Sequence, residues 1–118
     1  MNVSSTVEVP WDVTPEKVEA VVRRLIEVAH PRKIILFGSY VRGRTHRDSD
    51  LDVLVVTGDD VENPRAESVR LRDAVDHIDM PMDILAVPES KFDELRQVPG
   101  LVYREACETG QIVYEKRP

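Results

Sequence analysis

The chain has 118 residues, 42% hydrophobic and 32% charged, which suits one domain (1–118) with a single core and excludes a disordered chain. Its net charge of −6 excludes broad nonspecific nucleic-acid binding, which needs Lys and Arg to displace counterions from phosphates. Cys107 stands alone, so an intrachain disulfide and a thiolate zinc cluster are excluded.

Residues 1–13 lack periodicity and read as a loose arm, with Trp11 packing against the body. Thr14-Pro15-Glu16 then supplies an N-cap, a first helical position and an acid that compensates the helix dipole. Val18, Val21, Val22, Leu25, Ile26 and Ala29 recur at helical spacing as one apolar stripe, and His30-Pro31 ends it. The apolar run 34–37 is short and bounded by Gly38, as a buried strand ending in a sharp turn should be. Residues 40–44 are placed at the start of a short helix. Strand, small-residue turn and helix N-terminus together would aim backbone N–H groups at a place that favours phosphates, with the Ser39 hydroxyl beside them. Arg42, Arg44, His46 and Arg47 follow as a local basic cluster suited to triphosphate oxygens, although each alone reads equally as a solvated loop charge.

The next strand, 51–56, opens between Asp50 and Asp52, whose spacing puts both carboxylates on one face. Two such acids repel unless a cation lies between them, and hard carboxylate oxygens suit Mg²⁺, which binds through one or two carboxylates plus substrate phosphates. The stretch therefore offers a phosphate cradle beside a metal platform. Gly58-Asp59-Asp60 breaks the chain, and Asn63-Pro64 caps a second helix with Leu71, Ala74, Val75 and Ile78 as its stripe. Arg65, Arg70 and Arg72 read as its solvated face in preference to a partner surface, and Met80 and Met82 as gap-filling core or loop residues. A third strand, 82–87, carries Asp83 inside an otherwise apolar run, where an acid is costly to bury without a partner. Phe92 and Leu95 mark a further segment, Pro99-Gly100 interrupts it, and a short helix ends near Gly110. Residues 112–114 add an edge strand and 115–118 a tail. Cys107 is expected to be a small buried apolar residue. Interleaved strands and helices give an α/β (α+β) class, a small mixed sheet flanked by helices. No apolar run reaches membrane-spanning length and no leader pattern opens the chain, so the expectation is a soluble cytoplasmic protein.

Gly38-Ser39, ten intervening residues and Asp50-Leu51-Asp52 resemble the signature of the polymerase-beta-like nucleotidyltransferase superfamily. Leu-Phe-Gly-Ser-Tyr-Val-Arg-Gly followed by Asp-Ser-Asp-Leu-Asp is similar to its minimal nucleotidyltransferase branch, and the similarity spans roughly residues 14–114. The resemblance implies two Mg²⁺ ions and transfer of a nucleoside monophosphate, AMP from ATP above all, to a hydroxyl. It places Gly38, Ser39 and Arg42 at the nucleotide phosphates, and Asp50, Asp52 and Asp83 at the metals as the catalytic acids. It also implies a partner, a helical HEPN-type toxin for which this chain would be the antitoxin, modifying a hydroxyl of that protein. A chain this size has no evident acceptor-binding domain, which favours a protein acceptor. An antitoxin that acts by binding alone, and transfer to a small molecule or to RNA, stay open, as does self-association.

Overall fold

In the computed structural model, which describes residues 13–41 and 51–117, chain order is α1 (Pro15–Ala29), β1 (Lys33–Phe37), β2 (Leu51–Thr57), α2 (Pro64–Ala74), β3 (Met82–Pro88), α3 (Glu89–Leu95), α4 (Val102–Thr109) and β4 (Gln111–Glu115). The Thr14 hydroxyl accepts from the Lys17 N–H at 3.3 Å and Asn63 Oδ1 accepts from the Ala66 N–H at 3.1 Å. Both predicted caps thus satisfy orphan donors, each just ahead of a proline whose fixed φ suits a first turn. His30 closes α1 in the left-handed region, φ 45°, and donates its N–H to the Ile26 carbonyl. Trp11 and the rest of residues 1–12 lie outside the described residues.

The strands form one sheet in the order β3-β2-β1-β4, with β2 parallel to β3 and β1 antiparallel to both its neighbours, the mixed sheet the sequence implies. Alternation along β1 and β2 splits their side chains between two cores. Ile34, Leu36, Leu51, Val53 and Val55 face Val18, Val21 and Leu25 of α1 and Leu71 of α2. Ile35, Phe37, Leu54 and Val56 face Phe92 of α3 and Ala106 of α4. Helices on both sides explain why these strands read as continuous apolar runs rather than alternating ones. Met80 and Met82 are buried in the first core. Gly110 ends α4 where a Cβ would lie 2.6 Å from Ile35 Cγ2 and 2.9 Å from the Leu36 carbonyl oxygen, so the absent side chain lets α4 approach β1.

Two expectations need correction. Cys107 is exposed: the inward position of α4 belongs to Ala106, 1% exposed, and the next residue points about 100° around the helix. The arginine face of α2 is also more than a solvated surface. Arg70 Nη2 donates to the Val28 carbonyl at 3.0 Å near the end of α1, and Arg24 Nε donates to the Ala74 carbonyl at 3.3 Å at the end of α2. Each helix thereby lends an arginine to carbonyls that the other leaves without intrahelical donors.

Arg70 also forks onto both carboxylate oxygens of Glu67, at 2.8 and 2.7 Å. That hydrogen-bonded pair, outweighing the desolvation that opposes it, holds the Glu67 carboxyl below its ordinary range, and the Arg70 charge adds to the effect. A depressed folded pKa contributes stability that is present above the unfolded value, near 4.3, and is lost as pH falls through the folded value. Because Arg70 is half exposed, the contribution is small, at most about 1 kcal/mol. Glu67→Gln should therefore lower the melting temperature at pH 7 and do so less at pH 3, as melts across that range will read out; an equal loss at both pH values would assign the effect to packing.

Candidate active site

The site is built where β1 ends and β2 and β3 begin. Phe37, the last residue of β1, is the register partner of Asp52, and Asp52 is in turn the register partner of Asp83 on β3. Neighbouring strands run about 4.8 Å apart, and partners in register project to the same side of a sheet, so Asp52 and Asp83 share one face. It is the face that further along the strands buries Leu54, Val56 and Val87 beneath Phe92 and Ala106. The helices cover those positions but not the acids: Leu54 is fully buried, Asp52 is half-buried and Asp83 is exposed. The result is a carboxylate pair on an apolar-backed sheet, at an end that α3 and α4 leave uncovered among the described residues.

Gly38 is buried directly against Asp52, with φ 84°, a conformation that L side chains rarely adopt. A Cβ built there would lie 3.1 Å from Asp52 Cγ and would collide with Oδ2. The glycine therefore does two things at once, turning the chain sharply out of β1 and leaving room for a carboxylate. Ser39, half-buried, follows in a turn that continues through Val41, so the expected helix has not begun by that residue. Arg42 and Asp50 lie outside the described residues, as do Arg44, His46, Arg47 and Asp48.

Among the predicted site residues, then, Gly38, Asp52 and Asp83 converge, with Ser39 next in the chain. The oxygen-only donor set, backed by a strand and exposed at Asp83, suits a hard divalent cation, and the gap at Gly38 leaves room for the Asp52 carboxylate where strand geometry puts it. A groove of about 280 Å³ borders Asp83, lined by Met82 and Ile84 of β3 and by Ser68, Val69, Arg72 and Asp73 of α2. Sequence patterning gave no sign of it, because it arises only when α2 packs beside the edge of β3. A larger concavity of about 620 Å³ over Pro99, Gly100 and α4 contains none of these acids; here chemistry, not volume, locates the site.

Comparison with known proteins bears on the fold and the family. Curated proteins offer no significant match. Among solved structures, one described as a toxin-antitoxin with AMP-PNP is 23% identical, with a TM-score of 0.51 over 89% of this chain and 76% of the other. A variant of the toxin-antitoxin MntA-HpeT is 20% identical, with a TM-score of 0.56 over 89% and 75%. A protein from Sulfolobus solfataricus described as a nucleotidyltransferase is 16% identical, with a TM-score of 0.52 over 88% and 91%. At these identities the likeness is one of fold. The profile of the nucleotidyltransferase domain matches residues 15–109, from the first turn of α1 to the end of α4. With that match across most of its length, the chain belongs to the nucleotidyltransferase domain family, enzymes that transfer nucleotides.

Proposed function

We propose that this protein transfers a nucleoside monophosphate, AMP from ATP, to a hydroxyl of a partner protein, and that the partner is a helical toxin of the HEPN type which the modification silences. The observation that carries the reading is the register of Asp52 with Asp83 on one sheet face, with Gly38 shaped around the Asp52 carboxylate. Fold neighbours that are toxin-antitoxin proteins, one of them described with AMP-PNP, support the choice of donor and partner.

In this reading Asp50, Asp52 and Asp83 would hold Mg²⁺, which when bound would neutralise charge on the phosphates and lower the proton affinity of the acceptor hydroxyl. Gly38 and Ser39 supply backbone N–H and hydroxyl donors to the phosphate oxygens, and Arg42 adds a cation to the same group. Asp83, the more exposed acid, faces the acceptor and takes the hydroxyl proton as general base. The acceptor oxygen bonds to the α-phosphorus, the bond from that phosphorus to the bridging oxygen breaks, and pyrophosphate leaves. The protein's main contribution is positioning and electrostatic stabilisation, as in phosphoryl transfer generally.

Titration calorimetry with ATP tests the donor half of this proposal. Binding is expected in the presence of Mg²⁺ and should weaken by at least tenfold in chelator; equal affinity in both would remove the acids from nucleotide binding.

A further inference from the structure

The β3 strand lies at the edge of the sheet, and its outer side is only partly closed. The Ala86 N–H points away from β2 and donates to Ser68 Oγ at 2.9 Å, while that hydroxyl donates to the Pro64 carbonyl at 2.9 Å. The Pro81 carbonyl points the other way and accepts from the Leu51 N–H at 3.1 Å. Backbone groups alternate sides along a strand. Met82 and Ile84 therefore turn their N–H and C=O groups outward like Ala86, and no hydrogen bond to those groups is made among the described residues. This open length of edge flanks Asp83 and forms one wall of the 280 Å³ groove.

The opposite wall supplies two further features. Val69 is 58% exposed, the most exposed of the large hydrophobic residues described. Arg72 Nη1 is buried without a hydrogen-bond partner, and its nearest anion, Asp76 Oδ1, is 3.6 Å away. A groove offering an unpaired strand edge, an apolar contact and a buried donor in need of an oxygen is matched by a polypeptide in extended form. Such a segment has alternating backbone donors and acceptors for Met82 and Ile84, a side chain for Val69 and a carbonyl for Arg72. A compact small molecule offers no such repeat.

Resting on the reading of a protein acceptor, we infer that the acceptor presents its hydroxyl on an extended segment that adds to the outer edge of β3 alongside Met82 and Ile84, with α2 as the opposite wall. Pairing there delivers the residue beside Asp83 in the register of the sheet. Ser68 marks where the augmented edge stops, since its hydroxyl already occupies the Ala86 N–H.

The probe is a synthetic library of acetylated nine-residue peptides, each with a central Ser, Thr or Tyr, incubated with the full chain, ATP and Mg²⁺, with nucleotide transfer read by mass. Every peptide that is labelled is then remade with a single N-methyl group at each backbone position in turn. Edge pairing predicts loss of labelling with a period of two along the peptide, because alternate N–H groups face the strand. Val69→Gln, neutral and helix-favouring at an exposed position, should lower kcat/KM for the peptide about fivefold with ATP affinity unchanged. Uniform tolerance of N-methylation, or a Val69→Gln protein as efficient as wild type, would overturn the docking mode. If wild type binds ATP with Mg²⁺ yet labels no peptide, the extended occupant is wrong while the nucleotide site stands. Failure of both ATP binding and labelling overturns this inference together with the function on which it rests.

Discussion

Asp52→Asn is expected to lower nucleotide transfer by on the order of 10²–10³ or more, the usual effect of removing one preorganised catalytic group, while the protein remains folded. The substitution nearly preserves volume at a half-buried strand position, so circular dichroism and melting should move little. Asp83→Asn should lose turnover by a similar factor but keep more of its affinity for ATP, because Asp83 is the acid proposed to face the acceptor. The measurements are pyrophosphate release and calorimetric binding of ATP with Mg²⁺, made on the same preparations. A folded Asp52→Asn protein with wild-type turnover would return the register pair to the status of strand-end acids in contact with water. Near-normal release by Asp83→Asn alone would limit the catalytic set to β2.

Gly38→Ala should damage the same site without touching a carboxylate. The residue sits at φ 84°, and a side chain in the left-handed region costs roughly 1–2 kcal/mol. The new Cβ must also displace the Asp52 carboxylate or shift the turn, since it would stand 3.1 Å from Asp52 Cγ and overlap Oδ2. Both effects lower stability, and the second also lowers turnover, by at least tenfold if the carboxylate moves even about 1 Å. Asp52→Ala separates the two. In that background the steric conflict is gone and only the backbone strain remains, so the stability loss from Gly38→Ala should shrink in a double-mutant cycle. A purely additive cycle, checked by denaturant unfolding of all four proteins, is falsifying for the idea that the glycine exists to seat Asp52.

Much of the fold was legible because its signals are local. Thr14-Pro15 and Asn63-Pro64 announce α1 and α2 through cap chemistry that operates within one turn, and both hydrogen bonds are present. The runs around Ile35 and Leu54 read as buried strands because the sheet is covered on both sides. Gly38 could be singled out for its turn, but its contact with Asp52 depends on β1 and β2 pairing antiparallel in one register, which no local pattern specifies. The partnership of Asp52 with Asp83 is implied by the family resemblance, but no local pattern shows it, since its geometry rests on a parallel pairing of residues 31 positions apart in the chain. Long-range polar ties were equally hidden, as with Arg70, whose link to Val28 spans the α1–α2 packing. Cys107 illustrates a different failure: residue type favoured burial, but one step along α4 decides which side chain faces the sheet, and Ala106 holds that place. Asp50 and Arg42 lie outside the described residues, so their parts in the proposed site rest on the sequence.

The position of β4 bears on how the protein comes into being. Strand β1 gains one neighbour early, from β2, but its other side is paired by Gln111–Glu115, which are made long after it. Until those residues leave the ribosome, one edge of a strongly apolar strand, Lys33–Phe37, has its backbone unpaired. Closing it requires a contact between distant parts of the chain, the slow kind in folding. A polypeptide released before residue 111 would carry β1, β2 and β3 together with an adhesive edge, making truncated products natural clients for chaperones and proteases. Quality control would then act on completion of the sheet, and a cell would retain chiefly copies in which β4 has paired with β1.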